Sequence, residues 1–187
     1  MSVELLQRVV DETTRIVDNV KDNQLGNGTP CTEWSVRDVV NHITGGATMF
    51  AISAEQGKVP DEQIGQLLGG DNLGNDFKGA WGTAGTRAMN AFDGLDLSKM
   101  VTLPFGEMPA GIALNIAIFD VATHAVDIAS STGQDIADTD LLETALVFGR
   151  EMISQDFRDM GLFAPEQPCP GDAPVTDRLL AFSGRKV

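Results

Sequence analysis

The chain is poor in the residues that most often announce chemistry. It has two cysteines, two histidines and two tryptophans in 187 residues. Cys31 and Cys169 lie far apart, with neither metal-knuckle spacing nor the density of a disulfide scaffold. Free thiols in a cytoplasmic protein are the expectation, and the sequence leaves a single Cys31–Cys169 disulfide open. Basic residues are also scarce: 13 Lys and Arg against 27 Asp and Glu give a net charge of −14. Such a surface repels phosphate backbones and anionic lipid, so neither nucleic acid nor membrane is an expected partner. No uninterrupted apolar run reaches the roughly 18 residues of a membrane span. Glu4, Arg8 and Asp11 interrupt any signal-peptide core near the start. There is no internal repeat and no low-complexity tract. The glycine-rich pieces Gly69-Gly70 and Gly79–Gly85 lack the strand–turn–helix setting of a phosphate loop, and no nucleophile elbow supports a Ser/His/Asp triad.

What is present is helical periodicity. With 42% apolar residues, residues 1–187 are enough for one well-packed domain. Val3, Leu6, Val9, Val10, Thr13, Ile16, Val17 and Val20 mark an amphipathic helix within residues 2–23, broken by Gly26-Asn27-Gly28-Thr29-Pro30. Ser35 with Asp38 reads as an N-cap with an acidic first turn, and Trp34 as a hydrophobic staple. That second helix runs through Val36, Val39, Val40, Ile43, Ala47 and Phe50. A short helical piece is expected at Asp61–Leu68 and a longer helix from Asn75 to Phe92. Val101, Leu103 and Phe105 alternate as a short extended piece, in a connection long enough to cross a bundle. Thr139 or Asp140 is expected to cap a fifth helix carrying Leu142, Ala145, Leu146, Met152 and Ile153. Beyond Gly161, four prolines make an irregular strap before a last helical piece, Val175–Phe182. Met49, Met89, Met108 and Met152 read as core fillers. The expected architecture is an all-α four-helix bundle with an additional C-terminal helix and an irregular Pro-rich tail. Trp81 and several phenylalanines, if partly exposed, would favour a homodimer.

The stretch Gly111–Ser131 stands apart. At about 100° per residue, Ile112, Ile116, Phe119 and Val126 share one face while Val121 and Ile128 lie nearly opposite. A helix apolar most of the way round belongs in the middle of a fold. Yet Asp120, His124 and Asp127 fall on one narrow stripe, and buried ionisable groups are costly unless paired or bound to metal.

Asp120 precedes His124 by four, so the two stand one above the other. With His42 from a facing helix they would offer two nitrogens and an oxygen, a donor set suited to zinc with one position open. The competing reading makes Asp120 the hydrogen-bond partner of a structural core histidine. Asp127 either orients His124 or pairs with an arginine such as Arg178 or Arg185. Gly46 and Met49 lie on the His42 side of the second helix. A close approach by a backbone or ligand, or ordinary tight packing, would account for Gly45-Gly46 inside a helix. Cys31 reads as a small buried residue or as a reactive thiol with no evident neighbouring base.

TPCTEWSVRDVVNHITGG, LPFGEMPAG, DVATHAVDIASSTG and DRLLAFSGR together resemble the mycothiol-dependent maleylpyruvate isomerase-like group of the DinB-like superfamily, in its actinobacterial branch. The resemblance extends over nearly the whole chain. It implies a divalent metal, usually zinc, held by a second-helix histidine and a later acid-x-x-x-His pair. These positions are His42, Asp120 and His124. The isomerase proper has glutamate at the acid position, so aspartate here is a departure that bears on metal affinity. The resemblance further implies mycothiol as cosubstrate and a small electrophile as substrate, in S-transfer or isomerisation. A non-catalytic ligand-binding or stress-response module, or a metal-dependent hydrolase, would use the same fold.

Overall fold

The computed structural model describes residues 3–159 and 163–187. Residue 2, expected to begin the first helix, and Gly161, expected to begin the strap, lie outside the described residues. The helices are α1 (Val3–Asn19), α2 (Val36–Gln56), α3 (Asp61–Gly69), α4 (Phe77–Phe92), α5 (Ala110–Thr132), α6 (Thr139–Met152), α7 (Gln155–Asp159) and α8 (Val175–Phe182). A 3-10 turn at Asp22–Gln24 follows α1. The alternating segment before α5 is an antiparallel hairpin of β1 (Met100–Leu103) and β2 (Gly106–Pro109), with Val101 opposite Met108.

Four long helices close a ring in which α1 packs on α5, α5 on α2, α2 on α4 and α4 on α1. Sequence neighbours α4 and α5 are therefore not ring neighbours, and the hairpin connection carries the chain across. The α6 helix packs on α5 and α8, so the C-terminal segment covers one flank of α5. That covering explains why α5 is apolar nearly all round: Phe119, Val121, Val126 and Ile128 are all buried, on opposite sides of the helix. By length and composition α5 would pass for a membrane span, but most of it lies inside the fold. Ile112 departs from the expected face, being 42% exposed.

Helix ends follow local chemistry. Ser35 and Asp38 form the expected reciprocal capping box at the start of α2. Asp76 caps α4 through Gly79 N–H. At α6 the cap is Asp138, not Thr139 or Asp140: its carboxylate accepts from Leu141 N–H while also receiving both arms of Arg8 from α1. A tertiary ion pair thus chooses between adjacent capping residues. Close approach explains the first glycine of the α2 pair. A Cβ at Gly45 would sit 2.1 Å from the Leu67 carbonyl oxygen of the α3 backbone.

Trp81 is fully buried and donates to Thr14 Oγ1 at 3.0 Å. Phe50, Phe77, Phe92, Phe119 and Phe182 are also buried. The exposed aromatic surface invoked for a homodimer is therefore not there at Trp81. Met49 is buried in the core, while Met89, Met108 and Met152 pack against it.

Candidate metal centre

The site is assembled from three pieces: the loop before α2, the middle of α5 and the chain end after α8. The capping box fixes the start of α2 and places His42 two turns in, while the Asp120 to His124 spacing brings both side chains to the same wall. Asp120 Oδ1 lies 3.2 Å from His42 Nε2 and 3.6 Å from His124 Nε2. One donor atom from each of these residues falls within 4.8 Å of the other two. The shorter acid therefore reaches both imidazoles. Gly46 contributes space: a Cβ there would lie 3.6 Å from Asp120 Oδ2.

The inner end of the stripe is closed differently. Asp127 Oδ2 is 2.9 Å from His124 Nδ1 and 2.8 Å from Arg185 Nη2, and its Oδ1 accepts from Arg185 Nε. Both sequence alternatives for Asp127 are realised at once, with Arg185 as the arginine. Arg178 is committed to Glu143 and the Ala173 carbonyl. Arg185 also donates to the Ser183 carbonyl, so the guanidinium that ties the segment after α8 to Asp127 of α5 is held locally as well.

The electrostatics follow. Burial works against the Asp120 anion, but the His42 charge and hydrogen bond, with His124 and Arg185, outweigh it and bring its pKa to about 2. Burial lowers the His42 pKa, and Asp120 reverses this to leave it raised. Asp127 is held low because His124 and Arg185 overcome its desolvation.

A cavity of about 370 Å³ opens onto these groups, with Pro30, Cys31, Trp34 and Phe163 among its walls beside His42, Asp120, His124 and Arg185. This volume suits a small-molecule site. A wider surface groove of about 640 Å³ includes Gly79, Gly82 and Thr83 of α4. Its two ionisable groups, Glu55 and Arg87, already pair at 2.7 Å.

Sequence reasoning placed His42, Asp120 and His124 together, and the structure brings them together. Gly46 borders Asp120, whereas Met49 does not line the cavity. Two residues have positions that the sequence did not reveal, and a third was named only as one of two possible partners of Asp127. Trp34, expected as a staple, lays its ring against both imidazoles. Cys31 is half-buried on the cavity wall, and its Sγ falls within 4.8 Å of donor atoms of His124 and Asp127. Burial pushes its thiol pKa up. Arg185 arrives from the chain terminus. The fragments TPCTEW and SGR held the available signal, but neither has a periodicity that aims it at α5.

Two Mycobacterium tuberculosis proteins, one from each of two strains and both described only as uncharacterized, are 34% identical to this chain over 187 residues. They cover 97% of it, and the match covers 96% of theirs. The crystal structure of the mycothiol-dependent maleylpyruvate isomerase superposes with a TM-score of 0.65 at 19% identity, over 85% of this chain and 70% of that one. A histidine-to-alanine variant of that isomerase gives 0.63. These similarities establish a shared fold. The family model described as the mycothiol maleylpyruvate isomerase N-terminal domain matches residues 6–129, the segment carrying His42, Asp120, His124 and Asp127. The chain belongs to the mycothiol maleylpyruvate isomerase N-terminal domain family.

Proposed function

We propose that the chain is a cytoplasmic, metal-dependent enzyme that uses a low-molecular-weight thiol, mycothiol, for transfer to or isomerisation of a small electrophile. The observation that supports this most is the convergence of His42, Asp120 and His124 on one point in the wall of an open cavity. Two imidazole nitrogens and a carboxylate oxygen suit zinc and leave a coordination position for a ligand. A divalent ion there would favour the ionised form of a bound thiol near neutral pH.

The side chains around the triad fit that use. Asp127 accepts from His124 Nδ1–H, which fixes the tautomer with the Nε2 lone pair directed at the Asp120 side. Arg185 in turn holds Asp127 and places a positive charge on the cavity wall. Trp34, Phe163 and Pro30 offer apolar surface to an organic substrate and exclude water from part of the cavity.

Metal analysis of protein purified without a histidine tag tests the first half. Near-stoichiometric zinc that is lost in His42→Ala and Asp120→Ala is expected; no metal under any loading condition would refute the reading. Product formation from an electrophile with and without mycothiol tests the second. Turnover independent of thiol would point to hydrolysis, and metal binding without turnover of any electrophile to a ligand-binding module.

A further inference from the structure

The two imidazoles of the candidate centre are held in unequal ways. His124 is 7% exposed and anchored at Nδ1 by Asp127, itself fixed by Arg185. His42 is 31% exposed at its side chain, and its hydrogen bond is made through Nε2 to Asp120. No hydrogen bond reaches its Nδ1 among the described residues. Metal-ligating histidines almost always have their second nitrogen tied down, because that bond fixes the ring plane. No protein group ties the His42 Nδ1 among the described residues, yet its ring must be aimed as accurately as that of His124.

What lies against His42 is Trp34. The ring centroids are 4.8 Å apart with a 49° tilt. The same indole is nearly parallel to His124, at 5.6 Å and 21°. The imidazoles meet edge to face at 4.8 Å and 65°. All three separations fall in the range of aromatic pairs that attract through their quadrupoles.

The loop carrying Trp34 is itself constrained. Trp34 N–H donates to the Cys31 carbonyl, and the Trp34 carbonyl receives both Thr29 N–H and Thr29 Oγ1. Glu33, immediately before it, has a φ of 74°, a left-handed conformation that non-glycine residues seldom adopt. Backbone strain of this kind persists when the surroundings over-determine it, and it gathers at working sites.

We infer that Trp34 is a positioning residue for the metal-binding histidines, doing for His42 by a tilted ring contact what Asp127 does for His124 by a hydrogen bond. Coordination to a cation draws electron density out of an imidazole, and the electron-rich indole face attracts the ring more strongly in that state. The contact therefore favours the metal-bound geometry over the free one. This role rests on the metal reading above, and the experiment separates the two.

Zinc affinity by chelator competition, and the visible spectrum of the cobalt(II)-substituted protein, are measured for wild type, Trp34→Phe and Trp34→Leu. Leucine keeps an apolar wall without a ring and is expected to weaken zinc about 10–100-fold, with a shifted cobalt spectrum. Phenylalanine keeps a stacking face and should retain most of the affinity and the wild-type spectrum. Trp34→Met carries the expectation of the leucine variant if that variant does not fold. Unchanged affinity and spectrum in the ringless variants would overturn the role while leaving the metal site intact. So would a phenylalanine variant as impaired as leucine. Wild type that binds no metal would overturn both.

Discussion

Asp120 and Asp127 stand two turns apart on one helix, on one stripe, and they have opposite surroundings. Asp127 is fully buried, with both oxygens committed to Arg185 and His124. Asp120 is 27% exposed, faces a cavity and meets two imidazoles. The chemistry of the residue does not separate them; their depth and partners do. A carboxylate whose lone pairs are filled by a guanidinium and an N–H group is a structural anchor. One whose neighbours are themselves ligand types, beside open space, has the surroundings that the proposed metal site requires.

The sharpest way to break this comparison is to remove each carboxylate in turn. Asp127→Ala leaves the Arg185 guanidinium buried without its counter-ion and frees His124 Nδ1. Breaking such a buried pair costs about 3–5 kcal/mol. The expected result is a melting temperature lower by roughly 10 °C, with or without zinc. A variant as stable as wild type would show that the inner end of the stripe is not an anchor.

Asp120→Ala should do the reverse. On the proposed reading Asp120 is itself a ligand and not merely a support, so zinc affinity is expected to fall more than about 100-fold. At pH 8 the metal-free protein should melt within about 3 °C of wild type. Chelator competition and calorimetry read the two quantities. A large stability loss with affinity retained would exchange the roles assigned to the two aspartates.

The comparison also has a pH signature. The Asp120 pKa in the folded state, about 2, lies below its ordinary 3.8, so its contribution is complete above pH 4 and lost as pH falls from 4 toward 2. The His42 pKa is raised, so its contribution is present below 6.5 and lost as pH rises through the raised value. Both describe one ion pair and are not added. The metal-free protein should therefore be stabilised between these limits, by roughly 2 kcal/mol. Asp120→Asn should flatten both edges in thermal melts across pH. Edges that persist in that variant would assign them to other groups.

Much of this was legible in the sequence because it depends on neighbours within one helix. The capping box of Ser35 and Asp38, the span of α5 and the Asp120–His124 pair all follow from spacings of three or four. The alignment of His42 opposite that pair needed the family pattern as well. What was not legible depends on partners far along the chain. Asp138 caps α6 because Arg8 holds it there, Trp81 is buried by α1, and the choice of Arg185 over Arg178 for Asp127 is made by the packing of α8 on α5 and α6. Trp34 could be located just before a helix but not aimed, since its direction is set by a loop with left-handed backbone at Glu33.

The smallest effect tests the space at the open end of the stripe. Gly45 and Gly46 are adjacent on α2 but face different neighbours. Alanine at Gly45 would drive its methyl into the Leu67 carbonyl, 2.1 Å away on a backbone that cannot easily yield, and should destabilise by about 1–3 kcal/mol. Alanine at Gly46 meets Asp120 Oδ2 at 3.6 Å, an ordinary contact. There the gain in helix propensity, up to about 1 kcal/mol, should prevail and raise the melting temperature. Zinc affinity then gives the finer reading. Unchanged affinity in Gly46→Ala means that the carboxylate binds where it already lies. A selective loss of affinity without loss of stability means that Asp120 moves toward α2 when the ion enters, and that the missing side chain at Gly46 makes room for the shorter acid to do so.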